Sequence, residues 1–396
     1  MRRVSVGDLV LADESGFACS KTKLVANGLI HLRPFNIDET SRLDLNQVFQ
    51  IPSVEAASGK RELRAGDILF NNTNSAELVG KSALIAHSMV AGYSNHLTRI
   101  RLDTSLVDPT YFAFWLRKLR STGYFTLQAT RWVSQAAYKT SELRKLPFEL
   151  PFLPEQRRIV DLLSRAEGIV RLRREAEKKA AEIIPALFME MFGDPATNPK
   201  GWSVRKVSEF VKRFEGGKNI QAGSENGSPY RILKVSAVTS GVYRESESKP
   251  SPDAYSPPAS HIVRDGDMLF SRANTQELVG ATARVESTNG TSLLPDKLWR
   301  FVWNEVVESS YMHALFQSDH VRQELSKLSS GTSGSMRNIS QGKLYELPLP
   351  VAPHSLQQAF AEQSDMLRSI QTQQAAATAK AQAAFDALLA DAFKTA

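Results

Sequence analysis

Two short polar segments carry side chains that suit the edges of nucleic-acid bases. They are Asn71-Asn-Thr-Asn and Ser271-Arg-Ala-Asn, and each follows an apolar run that predicts a β-strand. Asn can pair bidentately with adenine, and Arg can pair bidentately with guanine. A plain polar hairpin tip explains both segments equally well. The candidate base contacts from these segments are Asn72, Asn74, Arg272 and Asn274.

Two later segments mix Arg with small polar residues, a combination suited to phosphate or base contacts. The first, residues 130–135 (TRWVSQ), supplies Arg131, and the second, residues 331–338 (GTSGSMRN), supplies Arg337 and Asn338. Trp132 is predicted to be a core anchor rather than a wedge between bases. A helix is predicted after Asp108-Pro109, and its basic edge holds Arg117 and Lys118 as phosphate candidates or as a solvated face.

The sequence shows no comparable set of residues for catalysis. No GxxxxGK[ST] phosphate loop is present, and no Asn/Asp-Pro-Pro-aromatic motif, which amino-methyltransferases carry. The seven histidines lack metal-ligand spacing, and the lone Cys19 excludes a disulfide framework or a thiolate cluster. Asp67 and Asp267 recur at equivalent places, and each is better explained as a turn acceptor for backbone amides than as a catalytic carboxylate. The sequence therefore predicts a binding protein with no metal and no cofactor of its own.

Length and charge set further bounds. The chain has 396 residues and a net charge of +7, of which residues 1–150 carry +5 and residues 196–350 carry +3. Such a surplus fits a polyanionic partner, although many basic proteins bind none. No apolar run is long enough for a membrane span, and the N-terminus lacks the features of a signal peptide. A cytoplasmic protein of a bacterial or archaeal cell is expected.

The chain contains an internal repeat. Residues 63–84 and 263–284 align without a gap, with 11 of 22 positions identical. Matches at an offset of 201 extend from Val6 and Val207 to Pro147 and Pro348. A tandem duplication is therefore predicted, in which each copy is a globular domain followed by a long helix. The predicted segments are residues 1–150, 151–195, 196–350 and 351–396.

The two long helices share a heptad-like pattern, which predicts that they pack on each other as an antiparallel coiled coil with internal pseudo-twofold symmetry. The alternative is that each helix folds back on its own domain. Pro185 should kink the first helix. The predicted seam residues are Leu162, Ala166, Ile169, Arg173, Ala176, Ala180, Ile183 and Leu187 in the first helix and Leu367, Ile370, Gln374, Ala377, Ala381 and Leu388 in the second.

Two further segments carry a family resemblance. Leu153-Pro-Glu-Gln-Arg-Arg-Ile-Val and Phe192-Gly-Asp-Pro-Ala-Thr-Asn-Pro-Lys-Gly-Trp resemble the central conserved region of the specificity subunits of Type I restriction–modification systems. The repeated Gly-Asp-hydrophobic-Leu-Phe motif resembles the core of their target-recognition domains. The second copy departs from the first at residues 352–360, where Gln357 alone is kept opposite Gln156.

The resemblance implies an α+β fold in which two target-recognition domains each read half of a split double-stranded DNA site. The helices would set the spacing, two methyltransferase subunits would dock on them, and restriction subunits would join. S-adenosylmethionine, ATP and Mg would then belong to those partner subunits. Two other classes stay open from the residues: a scaffold of duplicated domains that bind protein or RNA, and a self-sufficient methyltransferase.

Overall fold

The computed structural model describes residues 2–20, 24–52, 62–133, 135–225, 227–333 and 336–394. The chain forms two compact units. Unit 1 comprises Met1–Arg173 and Ala377–Ala396, and unit 2 comprises Arg174–Ala376. Both long helices are therefore shared between the units, and the four-segment division stays a prediction. Within the described ranges, no helix is long and apolar enough to cross a membrane.

Unit 1 mixes short strands with helices. Its elements, up to the first long helix, are β1 Arg2–Ser5, β2 Val10–Ser15, β3 Leu29–Leu32, β4 Phe49–Ile51, β5 Glu62–Leu63, β6 Ile68–Asn71, β7 Thr73–Asn74, β8 Ser82–Leu84, β9 Met89–Val90, β10 Gly92–Tyr93, β11 Leu97–Leu102, α1 Pro109–Ser121, α2 Tyr124–Gln128, β12 Thr130–Arg131, β13 Ala136–Ala137, α3 Thr140–Lys145 and β14 Pro147–Leu150. The first long helix consists of α4 Leu153–Ala181 and α5 Ile183–Phe192.

The centre of unit 1 is an antiparallel sheet in the order β2-β11-β6-β8. Strand β6 is buried on both faces, because side chains along a strand point alternately to opposite sides. Ile68 and Phe70 face a core that includes α1, whereas Leu69 faces a smaller core with Leu32 and Tyr93. Burying each of these large apolar side chains contributes roughly 1.5–3 kcal/mol.

Helix α1 begins where the sequence predicts. The Asp108 carboxylate accepts hydrogen bonds from the backbone N–H groups of Thr110 (2.8 Å) and Tyr111 (3.2 Å), and Pro109 occupies the first turn. A carboxylate cap satisfies donors that the first helical turn leaves unpaired. The buried face of α1 carries Phe112 and Trp115, which pack on Phe148.

Unit 2 contains a sheet of the same kind, in the order β16-β23-β19-β21. The sequence predicts one helix over residues 309–328, and the structure divides this segment at Ser318 into two helices. The elements after α5 are β15 Ser203–Lys206, α6 Val207–Phe210, β16 Val211–Gly216, β17 Arg231–Leu233, β18 Ser248–Pro250, β19 Met268–Ser271, β20 Ala273–Asn274, β21 Thr282–Arg284, β22 Ser292–Leu293, β23 Leu298–Trp303, α7 Ser309–Gln317, α8 Asp319–Leu328, β24 Ser330–Ser333, β25 Met336–Asn338, α9 Gln341–Tyr345, β26 Pro348–Val351 and α10 His354–Ala392.

The first long helix is interrupted at Glu182, and the second is continuous. Pro185 lacks the N–H that would bond to the carbonyl of Ala181, and its ring crowds that carbonyl. The interruption confirms the predicted effect of Pro185. The alanine-rich tail forms α10 over almost the range predicted for it.

Within each unit, the portions of the two long helices pack antiparallel. In unit 1, Gln156 contacts Asp108 before α1 while Glu167 contacts Arg117 near its end, so α4 runs parallel to α1. The end of α10 runs the other way along α1, because Tyr111 packs on Phe393 and Arg117 on Phe385. In unit 2, Phe360 packs on Phe192 while the Gln371 side chain donates to the carbonyl of Ala180 at 2.6 Å.

The predicted seam is wrong at six of its fourteen positions. Leu162, Ile169, Ile183 and Ile370 are 44–52% exposed, and Arg173 and Ala176 are exposed as well. The positions one residue later face inward instead. They are Leu163, Val170, Glu177 and Ile184 on the first helix and Ser364, Gln371, Thr378 and Phe385 on the second, where Thr378 is more buried than the predicted Ala377.

The other predicted seam positions are at least partly buried. They are Ala166, Ala180, Leu187, Leu367, Gln374, Ala377, Ala381 and Leu388. The error has a physical cause: the prediction followed a regular spacing of four and three residues, whereas the inward faces include polar side chains such as Glu177, Gln371 and Thr378. Each inward position of α4 and α5 still has its counterpart 201 positions later in α10, as with Leu163 and Ser364.

Candidate nucleic-acid interface

A small three-stranded sheet in unit 1 brings two candidate segments together. Its strand order is β12-β13-β7. Ala136 of β13 pairs with Arg131 on one side and with Asn74 on the other. Two candidates from segments far apart in the sequence therefore lie in one row across this sheet.

Unit 2 has a matching sheet in the order β20-β25-β24. Asn274 pairs with Arg337, and Ala273 pairs with Asn338. Arg272 directly precedes β20, and its backbone carbonyl accepts a hydrogen bond from the N–H of Ile339. Asn274 and Arg337 thus share one face of this sheet, whereas Asn338 belongs to the next register pair and points to the other face. We name these two sheets, with the residues paired across them, the reading sheets.

The asparagines of the reading sheets are held by short local bonds. Asn74 Oδ1 accepts the backbone N–H of Ser75 at 2.8 Å, and Asn274 Oδ1 accepts that of Thr275 at 2.9 Å. Asn72 differs, because its amide donates to Thr98 Oγ1 at 2.8 Å and to the carbonyl of Asn95 at 3.3 Å. Its amide donors are already used inside unit 1, so Asn72 is better explained as a structural residue.

The arginines of the reading sheets are oriented by backbone carbonyls. Arg131 is exposed, and its Nη2 donates to the carbonyl of Thr126 at 2.6 Å. Arg337 donates to the hydroxyl and carbonyl of Ser329 at 3.1 and 3.0 Å. Charge-assisted bonds of this kind hold a guanidinium plane in a fixed direction.

Arg272 is the most firmly held of these arginines. Its Nε donates to the carbonyl of Asp296 at 2.7 Å, and its guanidinium lies 5.7 Å from the centre of the Trp299 ring. The side chain nevertheless retains 30% exposure. Its Nη2 also pairs with the Asp296 carboxylate at 3.8 Å, so the cation presented to solvent beside β20 is fixed and partly compensated.

Arg117 is not positioned for a phosphate contact. Its guanidinium pairs with Glu167 at 2.5 Å and lies 4.5 Å from the centre of the Phe385 ring, with only 16% of the side chain exposed. It joins α1 to α4 and α10 within unit 1, which corrects the sequence-based assignment. Lys118, half-buried on the same helix, stays a prediction.

A groove of about 630 Å³ opens beside the reading sheet of unit 1. Its lining combines cations, amides and an aromatic ring, from Arg33, Phe35, Asn74, Lys81, His96 and Gln135. Lys81 and Arg120 both pair with Glu39 at 2.8 Å, and these two hydrogen bonds lower the pKa of the Glu39 carboxyl to about 2. The carboxylate stays charged, so one of the groove's cations is locally compensated.

Sequence reasoning missed several residues of this groove. Phe35 is 46% exposed at the groove wall, and no pattern in its segment signals a contact role. Gln135 belongs to the candidate segment 130–135 but is absent from the predicted contacts, although its amide is as suited to adenine as that of Asn74. Ser134 of the same segment, and Gly334 and Ser335 of the second, lie outside the described residues.

Trp132 is not a core anchor, contrary to the prediction. Its side chain is 60% exposed, and the following Val133 is fully exposed. The Trp132 backbone N–H donates to the carbonyl of Gln135 at 2.7 Å, so the chain turns back sharply between β12 and β13. The apolar core is instead closed by Phe125 and Tyr138, which flank this hairpin.

The recurring aspartates are structural, as predicted. Asp67 accepts the backbone N–H of Arg64 at 2.8 Å across a turn that contains Gly66 at φ +91°, a left-handed conformation that favours glycine. Asp67 also pairs with Arg101, and Asp267 repeats both interactions with Arg264 and Arg300. Across the described part of the chain, no cluster of His, Cys, Asp and Glu could hold a metal ion.

Comparison with known proteins gives a consistent result. No family model matches the chain. The chain is 29% identical over 202 residues to the Type I restriction enzyme EcoEI specificity subunit of Escherichia coli, covering 50% of this chain and 34% of that protein. It is 23% identical over 315 residues to the Type I restriction enzyme MjaVIII specificity subunit of Methanocaldococcus jannaschii, covering 74% of this chain and 70% of that protein.

The fold has its own match. A chain from a solved assembly of a type I R-M system superposes with a TM-score of 0.58 at 21% identity, covering 99% of this chain and 97% of that one. The chain spans about a third of the length of the Escherichia coli relative, whereas the structural match extends over nearly all of it. The predicted resemblance to the specificity subunits of Type I restriction–modification systems is therefore confirmed, in sequence and in fold.

Proposed function

We propose that this chain is the DNA-specificity subunit of a Type I restriction–modification system, in which each unit reads one half of a split duplex target. The observation that carries the proposal is the pair of reading sheets. In unit 1, Asn74 and Arg131 lie on the two outer strands on either side of β13, and in unit 2, Asn274 pairs with Arg337 on the neighbouring strand. The side chains differ between the two sheets, as two readers of different half-sites require.

The long helices supply the spacer in this proposal. We infer a tandem duplication in which α4–α5 and α10 form one antiparallel coiled coil with pseudo-twofold symmetry. Two observations support it: each unit contains one portion of both helices, and the inward positions recur at an offset of 201. The length of the helix pair would then determine the gap between the half-sites.

Exposed apolar residues on the helices are the proposed docking points for two methyltransferase subunits. In unit 1 these are Leu162, Ile169 and Leu172, with exposures of 44–58%. In unit 2 they are Ile183, Met366 and Ile370, with exposures of 45–68%. Contiguous exposed apolar patches mark interaction surfaces, and residues three or seven positions apart share one face of a helix.

Catalysis is assigned to the partners. S-adenosylmethionine would bind the methyltransferase subunits, and ATP and Mg would serve the restriction subunits, while this chain binds none of them. The absence of the corresponding sequence motifs supports this division. Isothermal titration of the chain alone with S-adenosylmethionine should give no binding heat, and saturable binding would favour a self-sufficient methyltransferase.

The proposal is tested by variants that change one unit at a time. Asn74→Ala should relax discrimination in one half-site, and Asn274→Ala in the other, because each side chain lies on a different reading sheet. Losing a bidentate base contact should cost about 1–3 kcal/mol of discrimination. The measurement is competition binding by the complex with methyltransferase subunits, using duplexes altered in one half-site at a time.

Two outcomes would contradict this account. If both variants affected the same half-site, the units would not be independent readers. If the wild-type complex bound all duplexes alike, the chain would be a scaffold for protein or RNA. Asn304→Ala, in the loop that follows β23, serves as the matched control and should leave both half-sites unchanged.

A further inference from the structure

The hairpin between β12 and β13 exposes two apolar side chains beside the candidate base contacts. Trp132 is 60% exposed and Val133 fully exposed, and Leu127 of the preceding helix α2 is 76% exposed. A Trp is among the side chains that gain most from removal from water. An exposed Trp at a sharp turn, directly after the candidate base contact Arg131, therefore indicates a binding partner.

The hairpin projects into solvent and does not fold back onto unit 1. The bond from the Trp132 N–H to the Gln135 carbonyl closes the turn, and Arg131 is anchored to the carbonyl of Thr126. The register places Arg131 and Asn74 on either side of Ala136, one residue before the turn. The apolar tip thus extends just beyond the row of polar side chains assigned to bases.

Charge indicates which partner fits this tip. Residues 128–139 include Arg131 and Lys139 and no acidic residue. Hydrogen bonds from its own backbone and from Ser75 lower the pKa of the Glu77 carboxyl, and the nearby charge of Arg131 lowers it further. Proteins that insert an apolar side chain between base steps also place Arg, Lys, Asn or Gln side chains in the groove.

We propose that Trp132 and Val133 insert between two base pairs and unstack one step of the half-site that unit 1 reads. This inference rests on the proposed function, and it adds a deformation of the duplex to base recognition. Unstacking costs less free energy at a flexible base-pair step than at a stiff one. The chain would therefore favour a flexible step at this position, although no hydrogen bond reads its bases. The unit 2 residue 201 positions after Trp132 is Ser333, so the tryptophan itself belongs to unit 1 alone.

The experiment uses the complex of the chain with its methyltransferase subunits and duplexes that carry 2-aminopurine at each position in turn. The wild-type complex should raise the fluorescence at one step of one half-site. Trp132→Ala should abolish that rise and weaken binding about tenfold, as loss of a base-stacking aromatic does. Trp132→Phe should keep most of both effects.

Controls separate this effect from folding and from the methyltransferase. Trp132→Ala should leave the melting temperature unchanged, since the side chain is mostly exposed. Val133→Ser should reduce the rise, whereas Val242→Ser, at a 62% exposed valine of unit 2, should not. A fluorescence rise at the methylated adenine, caused by extrusion of that base, should persist in every variant.

The outcomes distinguish the two proposals. Specific binding with no Trp132-dependent rise at any position would overturn the wedge and leave the proposed function standing. An unchanged fluorescence pattern, with weaker association of the methyltransferase in Trp132→Ala, would assign the hairpin to a protein contact. Binding without any sequence preference in the wild-type complex would overturn both proposals.

Discussion

At the scale of single residues, a pair of glutamines shows what the repeat preserves. Gln156 Oε1 accepts the backbone N–H of Asp108 at 2.8 Å, and Gln357 Oε1 accepts that of Glu308 at 3.2 Å. Each amide also donates to a carbonyl just before its own long helix, Pro151 or Ala352. The glutamine thus joins the start of a long helix to the start of the domain helix beside it, which accounts for its retention in a segment that otherwise diverges.

Removing this link should destabilise one unit. Gln357→Leu leaves the N–H of Glu308 and the carbonyl of Ala352 without their partner, and buried groups of this kind cost about 1–3 kcal/mol each when unpaired. Urea unfolding should show a lower midpoint for that variant. Gln358→Leu, at the exposed neighbouring position, is the matched control and should unfold like the wild type. Equal midpoints for the two variants would contradict the assigned role.

Buried His313 of α7 makes unit 2 sensitive to acid. Burial, reinforced by the charge of Arg368, lowers the pKa of His313 to about 4. The unfolded chain binds this proton at about pH 6.5, so protonation favours unfolding between these values. Stability is therefore complete above pH 6.5 and falls as the pH decreases towards 4.

The expected loss between pH 7 and pH 5 is about 2 kcal/mol from this one group. It should be seen as a decrease in the free energy of unfolding that is absent in His313→Gln. Both proteins share all other titrating groups, so the difference between their pH profiles isolates His313. Parallel profiles over this range would show that the histidine does not titrate as described.

At the scale of elements, features set by short-range chemistry were predicted correctly, whereas the inward faces of the long helices were not. The Asp108 cap, the interruption caused by Pro185 and the turn aspartates depend on short-range chemistry, and the structure confirms each. The inward face of the long helices depends on the shape of what packs against them. The heptad-like spacing alone could not show that Gln371 and Thr378 face inward while Ile370 is exposed.

Adjacent residues of α4 test the corrected face. Val170 is 5% exposed and Ile169 is 52% exposed. Val170→Asp would bury a charge without a partner and should cost several kcal/mol, which lowers the melting temperature markedly. Ile169→Asp should leave the melting temperature nearly unchanged and, if the proposed docking surface is right, weaken co-purification with the methyltransferase. The reverse order of melting temperatures would restore the original seam.

The candidate site was predictable only in part, for a similar reason. The polar segments could be recognised from residue types, but their meeting on one sheet required the pairing of β7 with β13 and of β20 with β25. Arg117 had the right chemistry for a phosphate, yet Glu167 and Phe385 enclose it. A tryptophan is large and mostly apolar, which favours a place in the core, but the turn between β12 and β13 exposes Trp132.

At the scale of the whole molecule, the proposed function requires two readers joined by one helical spacer. The repeat is visible in the sequence, in the order of the central strands and in the inward positions of the helices. The resemblance to Type I specificity subunits extends across sequence and fold. The target that such a chain selects should therefore have two short specific parts and an unspecific gap of fixed length.

Genome-wide mapping of methylated adenines tests this claim most directly. Cells that contain the chain and its methyltransferase should show a split motif with a constant gap, and the motif should disappear when the chain is deleted. The Asn74→Ala strain should relax one part of the motif and leave the other part and the gap unchanged. A continuous motif, or a methylation pattern that does not depend on this chain, would contradict the account.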